Sequence, residues 1–153
     1  MLYKPYHVFP KVLGLKTMTR RCWGYPLVKP GHIYKAKTKM MSPEYFGIEM
    51  VLSVRKEPLG AMTDADADLE GGYSLDEFRA LWEVINHVPW DPNLKVYVIR
   101  TRFRTNFEFF DYEKYEEFRI MYEDHKENIS DILSFRGVSK KLEKCDNRLR
   151  PGP

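Results

Sequence analysis

Apolar residues recur along this chain with two periods, and the points where the period changes divide it into elements. In GIEMVLSVRKE the apolar Ile48, Met50, Leu52 and Val54 fall at every second position, the repeat of a strand with one buried face. KVYVIRTRFR, rich in β-branched and aromatic residues, reads as a long closing strand, and KTMTRRCW as a shorter one near the start. After a turn at Pro30 and Gly31, Ile33, Lys35 and Lys37 alternate with Tyr34, Ala36 and Thr38 as a half-buried strand. The period lengthens in the middle of the chain. Thr63 can cap DADADLE, and Ser74 with Glu77 forms a capping box that opens SLDEFRALWEVIN, whose Leu75, Phe78, Leu81, Trp82 and Ile85 share one helical face. HVFPKVL reads as one or two helical turns closed by Gly14, and VPWDPN as a loop.

Beyond Arg104, FEFFDYEKYEEFRIMYEDHKEN is an acidic amphipathic helix with Tyr112, Tyr115, Phe118 and Tyr122 three or four apart. That stripe needs a surface; the chain's own sheet is the expected one and dimerisation the alternative, so a monomer is favoured. The last residues are basic and end in Pro-Gly-Pro, where disorder is expected. The order of elements predicts an α+β fold with a small sheet or barrel over residues 1–104 and a helical extension with a basic tail over 105–153.

Composition narrows the class. With 43% hydrophobic, 31% charged and 14% aromatic residues, 153 residues suffice for one domain with a real core. The chain has no glutamine and many Lys, Arg, Glu and Tyr, the bias of proteins from hot environments. No window has the length or apolarity of a signal peptide or membrane span, so a cytoplasmic protein is expected. Cys22 and Cys145 lack a CxxC spacing and are expected to be free thiols.

The net charge of +3 conceals a sorting of charge into blocks. From Met1 to Pro43 there are nine cations, among them Lys16, Arg20, Arg21, Lys35 and Lys37, and no acid. Glu44 to Asp91 is strongly acidic, and LKVYVIRTRFR is again basic through Lys95, Arg100, Arg102 and Arg104. If the basic segments are neighbours in space they form one positive surface, suited to a phosphate backbone. Otherwise they pair with the acidic block.

Other motifs fall away. Asp64, Asp66 and Asp68 mimic the start of an EF-hand, but Leu69 stands where its glycine belongs and Leu75 where its bidentate glutamate belongs, so they read as helix-dipole partners. His7, His32, His87 and His125 are scattered without metal-ligand spacing; no metal or cofactor is assigned. No nucleotide-binding glycine motif or serine-hydrolase elbow is present, and no histidine pair supports ribonuclease chemistry.

GLKTMTRR, KPGHIYKAK, LEGGYSLDEFRALW and KVYVIRTRF, in that order, resemble the ASCH domain family, relatives of the PUA domains of RNA-modifying proteins. The likeness spans about residues 2 to 104, with His32 departing from the aspartate usual in the family's PGD turn. It implies a small PUA-like β-barrel with helices around it, first and last strands adjacent, and a cleft for RNA or a modified nucleoside. It would bring Lys16, Arg20 and Arg21 near Arg100 and Arg102, with Lys35 and Lys37 as further nucleic-acid contacts. Some members remove an acetyl group from the exocyclic amine of cytidine with a lysine, a threonine and a glutamate; the pattern carries these onto Lys16, Thr19 and Glu70.

The chemistry sets conditions. Thr19 is a poor nucleophile until a base takes its proton, which Lys16 can do only as a neutral amine, about three pKa units below its ordinary value. Burial and nearby Arg20 and Arg21 push that way, whereas contact with Glu70 would push back, so Glu70 is expected across the substrate, on the leaving amine. On a regular strand Lys16 and Thr19 would face opposite ways, so Lys16 must lie in the loop before it or a bulge must intervene. The alternative roles are an RNA-contacting cation, a structural hydroxyl and a helix-end acid.

Overall fold

The computed structural model describes the backbone of residues 1–149 and the side chains of residues 1–136. The Cys145 side chain and the tail past Leu149 lie outside the described residues. A short 3-10 turn, Pro5–His7, leads into α1 (Val8–Val12); β1 (Met18–Arg21), β2 (Ile33–Ala36) and β3 (Gly47–Pro58) follow. Then come α2 (Asp64–Leu69), α3 (Leu75–Asn86), β4 (Lys95–Thr105) and α4 (Tyr112–Leu149).

The four strands form one antiparallel sheet in the order β1-β4-β3-β2, so the first and last strands are neighbours as expected. The ring is not closed by strand pairing: β1 and β2 stand at opposite edges. Residues 1–3 partly bridge the gap. Tyr3 N–H donates to Lys37 O at 2.8 Å, and the Arg21 guanidinium, at the end of β1, donates to Leu2 O at 2.7 Å.

Helix starts follow the side-chain chemistry of the sequence. Thr63 and Ser74 cap α2 and α3, each with its reciprocal capping box, through Asp66 and Glu77. Asp64 and Asp66 lie in the first turn of α2, where the helix dipole favours them. Phe78, Leu81 and Trp82 of α3 pack with Leu59, Met62 and Val96, each such side chain contributing roughly 1.5–3 kcal/mol on burial. The Pro30-Gly31 turn forms despite His32, with Gly31 at φ 81° and His32 N–H donating to Lys29 O.

In β3 the period of two is present but the buried face is the other one. Gly47, Glu49 and Val51 are buried, Ile48 and Met50 half-buried and Leu52 exposed at a bulge between Val51 and Ser53. The reason is an ion pair. Lys11 of α1 donates to Glu49 and, at 3.0 Å, to Thr101 Oγ1, while Tyr3 Oη donates to Glu49 at 2.6 Å. Burial pushes the Glu49 pKa up, but Lys11 together with the hydrogen bonds from Tyr3 and Thr101 outweighs it, so Glu49 is held ionised in the interior with its pKa below the usual carboxylate range. Gly47 has no room for a side chain: a Cβ there would lie 2.2 Å from the Phe103 ring.

The aromatic stripe of α4 packs mainly on helical elements rather than on the sheet. Tyr115 and Tyr122 meet Phe9, Phe118 joins Phe109 and Phe110, and Ile129 is buried in the α3 cluster, whereas Tyr112 is exposed.

Candidate functional site

Because β1 is an edge strand, every second residue turns its backbone groups away from the sheet. Thr17 O accepts from Thr101 N–H, so Met18, next in line, presents its carbonyl at the open edge. There a cleft of about 490 Å³ opens between residues 2–7, β1 and α3. Its walls include Lys16, Thr19, Arg20, Arg21 and Glu70, with Trp23, Phe78 and Trp82 as aromatic surfaces. The volume is that of a small-molecule site.

Lys16, Thr19 and Glu70 therefore line one cavity, and Lys16 lies in the loop before β1, which resolves the opposite-face problem. All three are buried. Lys16 Nζ donates to Glu70 O at 2.8 Å and Met18 O at 3.1 Å, and lies 3.4 Å from Glu70 Oε2. With Thr17 N–H donating to Leu69 O, this segment satisfies the terminal carbonyls of α2. Glu70 thus touches Lys16 directly, against the expectation that it stands across the substrate. The lysine pKa is nonetheless lowered to about 8, because burial outweighs Glu70, with Lys11 and Arg21 adding to the depression. Thr19 Oγ1 accepts from Arg21 Nε at 3.2 Å and has no hydrogen bond to Lys16.

The expected convergence of cations is corrected in part. Arg20 is enclosed by carboxylates: Nη1 donates to Glu70 Oε1 at 3.0 Å and Nη2 to Glu57 Oε1 at 2.7 Å, with Asp66 at 3.5 Å. Its side chain is fully buried, so this cation pairs with the acidic block. Arg100 is the Cα partner of Met18 and shares a sheet surface with Arg20, yet Arg100 and Arg102 are exposed farther along that surface and do not line the cleft. Strand pairing put Arg20 and Arg100 on one face; Glu57, Asp66 and Glu70 enclose the first, and the second is exposed. Lys35 and Lys37 line a different, shallower hollow beside β2, Lys37 donating to Ser42 O at 2.7 Å. Arg21 alone of the named arginines both borders the cleft and, among the described residues, has no carboxylate partner.

Sequence reasoning missed a second polar group behind the cleft. His7, on the cleft wall, hydrogen-bonds through Nε2 to Tyr73 Oη at 2.8 Å, and Tyr73 Oη to His125 Nε2 of α4, also at 2.8 Å. Tyr6 stacks on His125 at 3.7 Å. Burial, then neighbouring Lys16, holds the His7 pKa well below its ordinary value; burial lowers that of His125 to about 4 and raises that of Tyr73. Both imidazoles are neutral at pH 7, so the phenol donates to one and accepts from the other. No local signal announces residues 66 and 52 positions apart. Trp82 Nε1 and Arg20 Nε, on residues bordering the cleft, are buried donors without a partner among the described residues.

No protein-family model and no curated protein matches the chain. Solved structures do resemble it. A protein of Enterococcus faecalis assigned to the DUF984 family is 16% identical over 64% of this chain and 67% of its own, with a TM-score of 0.48. An ASCH domain from Lactobacillus crispatus is 14% identical over 65% of this chain and 71% of its own, and an ASCH protein from Zymomonas mobilis 15% over 67% and 64%, both again at 0.48. At that identity the likeness is one of chain path alone. Among the described residues no group of three or more His, Cys, Asp or Glu side chains is arranged to hold a metal, and no helix is long and apolar enough to cross a membrane.

Proposed function

We propose that the cleft binds the base of a nucleoside, free or within an RNA, in keeping with the ASCH-like motifs. The observation that carries this reading is Glu70: a carboxylate only 2% exposed, kept in place by Lys16 and Arg20, on the wall of a cleft that also offers aromatic faces. A fixed carboxylate accepts from an exocyclic amine such as that of cytosine, and tryptophan and phenylalanine offer stacking surfaces to a base. Arg21 at the mouth suits an attached phosphate. Tryptophan fluorescence titration with cytidine and N-acetylcytidine tests it. Saturable quenching in the parent, abolished in Ile85→Trp, which fills the cleft without altering its charges, is expected; quenching that persists in that variant would overturn the assignment.

A second reading, hydrolysis of N-acylated cytidine, is favoured by the depressed Lys16 pKa. At about 8, roughly a tenth of the lysine is neutral at pH 7. The Thr19 hydroxyl would attack the acyl carbon and pass its proton to Lys16 while Arg21 steadies the oxygen. Lys16, released from the 3.4 Å contact with Glu70, would return the proton to the departing exocyclic amine, with Glu70 holding that amine; water then frees the acyl group from Thr19. Release of cytidine from N-acetylcytidine, lost in Thr19→Val, is the expected result. Equal turnover in Thr19→Val would reject this mechanism and leave the binding site intact.

A further inference from the structure

The sheet has two surfaces, and helices cover them unevenly. On one, Tyr97, Ile99, Thr101 and Phe103 point into the interior with Glu49, Val51, Thr19 and Tyr3. On the other, Val96 lies in the α3 cluster and Arg20 is locked to Glu57, Asp66 and Glu70. Val98 and Met18 are buried beside them, and from Arg100 to Arg104 the surface is open. The register gives its side chains in rows: Lys35, Ile48 and Arg104 in one, Ile33, Met50 and Arg102 in the next, then Arg100 opposite Ser53. Directly opposed residues in an antiparallel pair share a face, so the rows form one patch. Lys35, Arg100, Arg102 and Arg104 are exposed, and none forms a salt bridge among the described residues. Ile33 is 63% exposed, and Ile48 and Met50 are only half-buried.

We propose that this outer face of the sheet is a binding surface for the phosphate backbone of a single-stranded nucleic acid. Arg100, Arg102 and Arg104 follow one another at every second position of β4, about 6.8 Å apart, comparable with the separation of successive phosphates in an extended strand. Unpaired guanidiniums match phosphates by charge and by their forked donor geometry. The same charges oppose a second copy of this chain, since a two-fold contact through the patch would set arginine against arginine. Met18 joins this surface to the cleft: its Cα partner on β4 is Arg100, and its carbonyl meets Lys16. A strand lying on the patch passes the edge at which the cleft opens. That the nucleoside in the cleft belongs to a polynucleotide rests on the cleft reading; the surface itself does not.

The test is fluorescence anisotropy of labelled rC12 and dC12 across a salt series, with the full chain and with Arg102→Ala/Arg104→Ala. Both substitutions lie on an exposed surface, and unchanged thermal unfolding verifies the fold. For two lost phosphate contacts the slope of log K against log salt falls in magnitude by about 1.4, and affinity at moderate salt drops on the order of tenfold. Equal loss on both probes supports backbone recognition alone, and loss confined to rC12 supports it with RNA as the partner. Unchanged slope and affinity in the double variant, or no binding of either probe by the parent chain, would overturn the proposal. Cytidine quenching in the same double variant reports on the cleft separately: retained quenching with lost oligonucleotide binding separates the two surfaces, so either can fail alone.

Discussion

Lys16 Nζ lies 2.8 Å from the carbonyl oxygen of Glu70, which makes the lysine both the cap of α2 and a buried cation with a depressed pKa. Its folded pKa of about 8 is below the ordinary 10.5, so between these values the unfolded chain binds more protons than the folded one. Stability from this group therefore rises as pH increases from 8 to 10.5, and below 8 the buried charge costs about 3 kcal/mol. Denaturant titrations of the parent and of Lys16→Met should diverge across that window, the parent gaining on the variant. Parallel curves would mean that the lysine is not desolvated.

The buried pair of Lys11 and Glu49 should behave differently from its parts. Glu49→Gln leaves an uncompensated ammonium among Tyr3, Thr101 and Phe103 and is expected to cost about 3–5 kcal/mol, whereas Lys11→Met with Glu49→Leu should be near neutral. Urea unfolding of the single and the double variant gives the comparison.

His7 and His125 both titrate below their ordinary range, so the folded state resists protonation that the unfolded state accepts near pH 6.5. Their contribution is fully present above that pH and is lost as pH falls towards 4. Tyr73→Phe, which removes the shared hydroxyl, should cost about 1–3 kcal/mol at pH 7. His125→Phe keeps an aromatic ring on Tyr6 and should flatten the acid limb of a stability-pH curve.

Truncation after Arg104 removes Ile129 from the α3 cluster and the bonds from Tyr122 to Gly71 O and from Lys126 to Gly72 O, beside Glu70. We expect residues 1–104 alone to lose cooperative unfolding by circular dichroism, which tests whether that segment stands without its extension.

Local chemistry was legible in the sequence, and long-range pairing was not. Thr63 and Ser74 announced their helices because a cap and its partner are three residues apart. The buried face of β3 was misjudged because a periodicity argument counts apolar residues, and the partner that makes Glu49 an interior residue is Lys11, 38 positions away. For the same reason the open face with Ile48 and Met50 looked like the core. Lys16, Thr19 and Glu70 were found as a set through their motifs, and they do share a cleft. Arg20 and Arg100 could not be told apart, since only the fold decides which cation meets Glu57 and Glu70 and which meets water.

The account stands most directly on one crystallographic measurement, the complex with N-acetylcytidine. It predicts the base in the cleft of β1, its exocyclic nitrogen within hydrogen-bond distance of Glu70 and its ring against Trp82, Phe78 or Trp23. Ligand density elsewhere on the molecule, with the space beside Glu70 filled by solvent, would contradict it.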